Sequence, residues 1–352
     1  MIALTLGLFV IAGLGQIYLA GRSANRIIDN NSFLNENGRF AIEHLARAIR
    51  IAGYYRCGGP QARLLNVVQD DGNYFWFADT DGVEAYAPDD LPIAFTSLVT
   101  ATPETGTDIL VLRGAIVTER AFLGEGDINN TQHTISLAEP HSFSTGKVVV
   151  MNTENCAQTT IFQITGTTNT SGAYDVSFAD SGSATPGNCT TQLAGSGDCT
   201  NDTSKFSELT LTHQTAELNP YVTQAYFIAD DPGGCHHESS ASCDALKDCP
   251  TLFTAGTGTG FDSSGTLRLV PIVRNVTDLQ VESRSTESDY DDTIDWSTDV
   301  SLRLILEISS DLGKVTTDSG SQETITCRRQ EFQTTVYLRN APNGVEQEPI
   351  SY

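Results

Sequence analysis

Residues 1–53 read MIALTLGLFVIAGLGQIYLAGRSANRIIDNNSFLNENGRFAIEHLARAIRIAG, and this stretch decides the fold. Met1 to Ala20 contains no Asp, Glu, Lys or Arg. About 20 apolar residues, rising about 1.5 Å each, match a hydrocarbon core of about 30 Å. Residues 1–21 therefore read as the transmembrane half of a stem helix. Gly7, Gly13 and Gly15 interrupt the run, permitting close helix packing in lipid or local unwinding outside it. Arg22 and Arg26 mark its end. A cleaved secretory signal is the competing reading. Against it, no basic segment precedes the run, which is longer than the usual signal core; the missing segment also suggests a sequence short at its N-terminus.

Residues 22–55 form the amphipathic half. Ile27, Ile28, Phe33, Leu34, Phe40, Ala41, Leu45, Ala46, Ile49 and Ala52 recur at mostly helical spacing, between residues such as Glu36, Arg39, Glu43, Arg47 and Arg50. One stripe is buried and the other wet. A continuous helix from Met1 to about Gly53 is roughly 80 Å long, more than a membrane requires, so its second half needs a packing partner. Phe33, Phe40, Leu45 and Ile49 are the expected contacts to a head domain. Gly53 and the Cys57-Gly58-Gly59-Pro60 cluster stop the helix.

Residues 56–352 read as a β-rich head. The expected strands are Ile109 to Leu112, Lys147 to Met151, Thr160 to Ile164, Gln224 to Ala229, Leu267 to Val273 and Phe332 to Leu338. The clearest is Val300, Leu302, Leu304, Leu306 and Ile308 on one face against Ser301, Arg303, Glu307 and Ser309 on the other, which sets one sheet face on a core, with the stem helix as candidate cover. Stretches near 165–207 and 230–265, rich in small polar residues and cysteine, read as disulfide-stapled loop insertions.

The chain has 352 residues, 39% of them hydrophobic, enough for one large or two ordinary domains with a core. Its net charge of −24 argues against nucleic-acid binding, which needs clustered cations. Solubility in an exposed or salty environment explains such acidity; a cationic partner is the other explanation. All eight cysteines, Cys57, Cys156, Cys189, Cys199, Cys235, Cys243, Cys249 and Cys327, lie beyond the apolar run. They are disulfide candidates in an extracytoplasmic compartment. A Cys189–Cys199 loop and a pair among Cys235, Cys243 and Cys249 are the local options. Cys235-His236-His237 with the neighbouring cysteines is a zinc alternative, but lacks the close spacing of common sites. Asp289, Asp291, Asp292 and Asp295 supply oxygen ligands suited to calcium, without the glycine and distal glutamate of an EF-hand loop. No HExxH, GxSxG or P-loop motif appears, so neither catalysis nor a cofactor is expected. Asn129, Asn169, Asn188, Asn201 and Asn275 open Asn-x-Ser/Thr triplets.

The opening Met1-Ile-Ala-Leu-Thr-Leu-Gly-Leu resembles the interior of a type IV pilin N-terminal segment. Glu36-Asn-Gly-Arg-Phe-Ala-Ile, Leu45-Ala-Arg and Arg50-Ile-Ala-Gly-Tyr resemble the PilW family of minor pilins. Gly106-Thr-Asp-Ile-Leu-Val-Leu-Arg, Tyr226-Phe-Ile-Ala, Val273-Arg-Asn-Val-Thr-Asp-Leu-Gln-Val and Phe332-Gln-Thr-Thr-Val-Tyr-Leu-Arg-Asn extend the resemblance in collinear order across nearly the whole chain. The resemblance implies an α+β, type IV pilin-like fold: a long N-terminal helix packed on a large, mostly antiparallel β-rich head with disulfide-stapled loops. It implies a prepilin held in the inner membrane, cleaved by prepilin peptidase, and assembled by the pilus machinery into an extracellular filament at the cell surface. The partners so implied are other pilins, through the N-terminal helix. Ile2, Leu4, Leu6, Leu8, Phe9, Ile11, Leu14, Ile17 and Leu19 are the filament-core candidates. The leader and the processing segment with its N-terminal glutamate do not occur in the sequence, so neither is assigned to a residue. A minor pseudopilin of type II secretion shares this architecture, and a membrane-anchored adhesin or carbohydrate-binding module is the rival from another class.

Overall fold

The computed structural model describes residues 2–55, 64–69, 74–78, 82–123, 127–153, 156, 158–170, 173–180, 186–197, 199, 203–211, 216–231, 250–260, 266–285, 290–294, 299–309, 314–317, 323–326 and 329–338. Helix α1 (Ile2–Ile51) is continuous over 50 residues, about 75 Å at the usual helical rise. The short α2 spans Ile93–Leu98. The head begins with strands β1 (Leu64–Asn66), β2 (Val83–Tyr86), β3 (Ile109–Ala115), β4 (Ala121–Leu123), β5 (Ile128–Asn129), β6 (Thr134–Ser136) and β7 (Val148–Thr153). It continues through β8 (Thr159–Gln163), β9 (Gly166–Thr170), β10 (Ala173–Ser177), β11 (Ala194–Gly195), β12 (Phe206–Ser207), β13 (Ala216–Asp230) and β14 (Pro250–Gly256). The last are β15 (Val270–Arg274), β16 (Val276–Ser285), β17 (Asp299–Ser309), β18 (Lys314–Thr317), β19 (Glu323–Thr326) and β20 (Arg329–Tyr337). The chain is thus α+β, one N-terminal helix on a largely antiparallel body.

Strand β13 organises the head. Its first part pairs with β4 and β7, its second with β3 and β14. The change falls at Pro220, which has no N–H to donate and whose carbonyl accepts the Ile116 N–H at 2.8 Å. The resulting nine-stranded sheet is antiparallel except for β1 beside β8. A second sheet, β16-β17-β20, carries the alternating strand expected from the sequence: Leu302, Leu304, Leu306 and Ile308 are all buried. They face α1, so one core is shared by Leu34, Ala41, Leu45 and Ile49 of the helix, this sheet, and Leu110, Tyr226 and Ile228 of the nine-stranded sheet. Period-two alternation sends Ala225 and Phe227 to the opposite face, where they pack with Trp76 and Phe95. A third core lies between Met151, Phe162 and Leu218 and the small sheet β5-β6-β10-β9.

Both stretches expected as disulfide-stapled loop insertions hold paired strands, and the first keeps a staple, Cys189–Cys199. Residues 165–207 hold the β9–β10 hairpin, whose Val176 is buried despite Thr- and Asn-rich surroundings. In 230–265, β14 pairs with β13 over seven residues; the Gly-Thr run after Ala255 disguises it as loop. Residues 232–249, with Cys235, His236, His237, Cys243 and Cys249, lie outside the described residues.

The stem docks where a side chain is missing. Gly38 is buried, and a Cβ built there would stand 2.1 Å from the Phe332 ring on β20. Gly38→Ala adds about 1 kcal/mol of helix propensity, but overpacking at a fitted contact costs about 1–3 kcal/mol. The expected outcome is a lower thermal midpoint, partly restored by adding Phe332→Leu; a higher midpoint would show that the seam yields freely.

Candidate subunit interface

Among the described side chains of the stem Leu34 is the first that is buried, followed beyond Gly38 by Ala41, Ile42, Leu45, Ala46, Ile49 and Ala52. Of the four expected head contacts, Leu45 and Ile49 are buried and Phe33 packs partly buried against the same core. Phe40 is corrected: it is 53% exposed, because it lies about 100° around the helix from Ala41 at 3.6 residues per turn. Its ring meets His44 at 6.0 Å, and His44 in turn meets Tyr226 edge-on at 5.8 Å.

Before Leu34 the helix projects beyond its own head. Ile11, Leu14, Ile17, Tyr18 and Leu19 are each more than 60% exposed, and Ile27 and Ile28 more than half. The open space around Gly7, Gly13 and Gly15 would accept a close neighbour. The side chains of Ile2, Leu4, Leu6, Leu8 and Phe9 lie outside the described set. Among the described residues no helix is long and apolar enough to cross a membrane. What they do present is a run of large apolar side chains without cover, the signature of a surface that meets another apolar body.

At its other end the stem is stitched to the head. Gly53 takes a left-handed φ of 68° and donates its N–H to the Arg113 carbonyl at 2.7 Å, while the Tyr54 carbonyl accepts the Ala115 N–H at 2.8 Å. A helix cap thereby becomes an added rung on β3. Beside it lies a surface groove of about 590 Å³, lined mainly by Ala48, Ile51, Ala52, Tyr54, Leu112, Gly114, Ile116 and Val222, with Arg50 at its border. A second cleft of about 570 Å³ shares Ile116 and Val222 with it and is bordered by the Lys147–Glu119 ion pair at 2.8 Å. Sequence reasoning missed the groove, which needs the chain reversal after Gly53 to exist.

Burial, and then the Arg47 cation, hold the His44 imidazole below its ordinary value of 6.5. The folded stem therefore prefers neutral His44, and the unfolded chain takes up the proton first as pH falls. Stability present above pH 6.5 is expected to decline below it. Thermal melts from pH 7.5 downward check this, with His44→Gln expected to flatten the decline in the window beginning at 6.5.

The other sequence candidates separate. Cys189 and Cys199 form the expected disulfide, with Cα atoms 5.8 Å apart. Cys156 is also disulfide-bonded, whereas Cys57 and Cys327 lie outside the described residues. Of the acidic cluster, Asp289 and Asp295 lie outside too; Asp291 spends its carboxylate on the backbone and hydroxyl of Thr293. No group of three metal-ligating side chains occurs among the described residues. Asn188 and Asn275 are buried, while Asn129 and Asn169 are exposed. No family model, no curated protein and no solved structure matches this chain.

Proposed function

We propose that the chain is a structural, non-enzymatic subunit of a type IV pilus, similar to the PilW minor pilins, acting in filament assembly or as a filament component with a head available for adhesion. One observation supports this most: a single helix whose second half is built into the head while its first half projects with Ile11, Leu14, Ile17 and Leu19 exposed. An apolar projection of this kind leaves lipid at tolerable cost only when other apolar helices replace the lipid around it. Residence in the inner membrane, extraction and polymerisation then form one coupled process, and the head is carried outward on the filament.

Disrupting the chain in its native cell tests the proposal. Fewer surface filaments, restored by the intact chain and not by the head alone, are expected. Normal filaments with lost protein secretion would favour the pseudopilin alternative. Normal filaments with lost surface binding would favour an anchored adhesin.

A further inference from the structure

Six Asn-x-Ser/Thr triplets occur in the chain, and the structure sorts them. Such a triplet accepts an N-linked glycan where the asparagine amide can reach a transferring enzyme and the hydroxyl two residues on can lie beside it. Asn188 and Asn275 are 0% and 1% exposed, and Asn201 lies outside the described residues. Asn30 lies within α1, whose turn sets residues two apart about 200° around the axis. Asn169 is exposed, but it sits in the β9–β10 ladder opposite Tyr174, and its amide donates to the His141 carbonyl at 2.8 Å. Asn129 alone of the described five meets both conditions.

Asn129 ends β5 opposite Thr134, and residues 130–133 turn the chain into β6. Asn129, Thr131 and Gln132 are all exposed. The Asn129 Oδ1 accepts the N–H groups of Thr131 at 3.1 Å and Gln132 at 3.0 Å, which folds Thr131 back beside the acceptor. Its Nδ2 donates to the exposed Gln132 Oε1 at 3.0 Å, a surface side chain that an incoming group can displace, and the Thr131 hydroxyl has no partner among the described residues. Two donors on Oδ1 also favour the amide form that has given up an Nδ2 proton. The loop itself is anchored: Ile135 is buried in the core below, and Asn130 donates to the Leu209 carbonyl at 3.1 Å. The acceptor therefore stays outside once the head has folded. Asn129 is also the one triplet of the six with an acid, Asp127, two residues before it.

We infer that Asn129 is the attachment point of an N-linked glycan. This rests on the proposed role as a surface subunit, which brings the head to the extracytoplasmic side. The donor is a lipid-pyrophosphate-linked oligosaccharide. The Nδ2 lone pair bonds to the anomeric carbon of the reducing-end sugar, the bond from that carbon to the pyrophosphate oxygen breaks, and the lipid pyrophosphate leaves with the bonding electrons. One Nδ2 proton passes to a base of the transferase, and nothing is oxidised or reduced. The glycan stands on the small sheet β5-β6-β10-β9, whose core contains no stem residue, so the stem remains open for assembly.

The full chain is purified from the filaments and the membrane fraction of its native cell and digested with trypsin; the peptide 121–147 holds no other such triplet. That peptide is expected to carry a sugar mass which electron-transfer fragmentation places on Asn129. Asn129→Gln and Thr131→Ala are expected to lose it, and Thr131→Ser to keep it. Thr131→Ala removes an exposed hydroxyl without a hydrogen bond, so an unchanged thermal midpoint beside the lost sugar separates lost transfer from misfolding. An unmodified peptide, or a sugar that persists in Asn129→Gln, would overturn the inference. An unmodified chain recovered from filaments would do so while leaving the subunit role standing; a chain glycosylated at Asn129 but absent from filaments would do the reverse.

Discussion

Arg113→Met is expected to cost about 3–5 kcal/mol of folding stability, because it breaks a pair whose cation is buried and leaves the partly buried Glu84 carboxylate without it. Arg113 is 2% exposed at the end of β3; its guanidinium pairs with Glu84 at 2.8 Å, donates to the Phe75 carbonyl at 3.1 Å and stacks 5.2 Å over the Phe75 ring. Tyr86 donates to the same carboxylate at 2.5 Å, and burial together with that bond holds its phenol well above the usual range. The cluster ties the segment around Phe75 to the strand whose end receives the stem. Chemical denaturation measures the loss. Glu84→Gln keeps a side-chain oxygen that can accept from Arg113 and from the Tyr86 hydroxyl and is expected to cost less, whereas Arg113→Met with Glu84→Met should recover much of the deficit, since an apolar pair of similar volume needs no desolvation. A double variant as unstable as Arg113→Met alone would contradict this account.

Leu14→Arg with Ile17→Arg is expected to leave the head folded and remove the chain from any apolar assembly. Both side chains are more than 60% exposed, so neither contributes to the head's core. Each arginine placed in an apolar helix environment costs about 2.5–3.5 kcal/mol, and two together lower partitioning by roughly a thousandfold or more at about 1.4 kcal/mol per tenfold. Leu14→Ala with Ile17→Ala should weaken incorporation far less. Unaltered thermal unfolding of the head beside lost incorporation is the informative pair of results; equal incorporation of the arginine variant would mean that this stretch meets water.

The stem and the strand facing it were legible because their signals are periodic. Helical spacing places Leu34, Ala41, Leu45 and Ile49 on one stripe, and alternation over Leu302–Ile308 marks the sheet beneath it. Phe40 was misplaced because spacing ranks apolar residues without saying which edge of the stripe the head reaches. Gly38 was readable in principle, since a glycine within an otherwise good helix signals a close packing partner, but its partner Phe332 lies almost three hundred residues away. β14 escaped because its flanking Gly-Thr repeats carry the composition of a loop. The groove and the Arg113 cluster join residues from separate strands and the stem's exit, and no local pattern encodes such a meeting.

The most direct test of the central claim is quantitative mass spectrometry of sheared, purified surface filaments from the native cell, including the chain's own N-terminal peptide. Recovery of the chain in the filaments is the predicted result. Its absence from filaments, with the protein intact in the membrane fraction, would contradict the account.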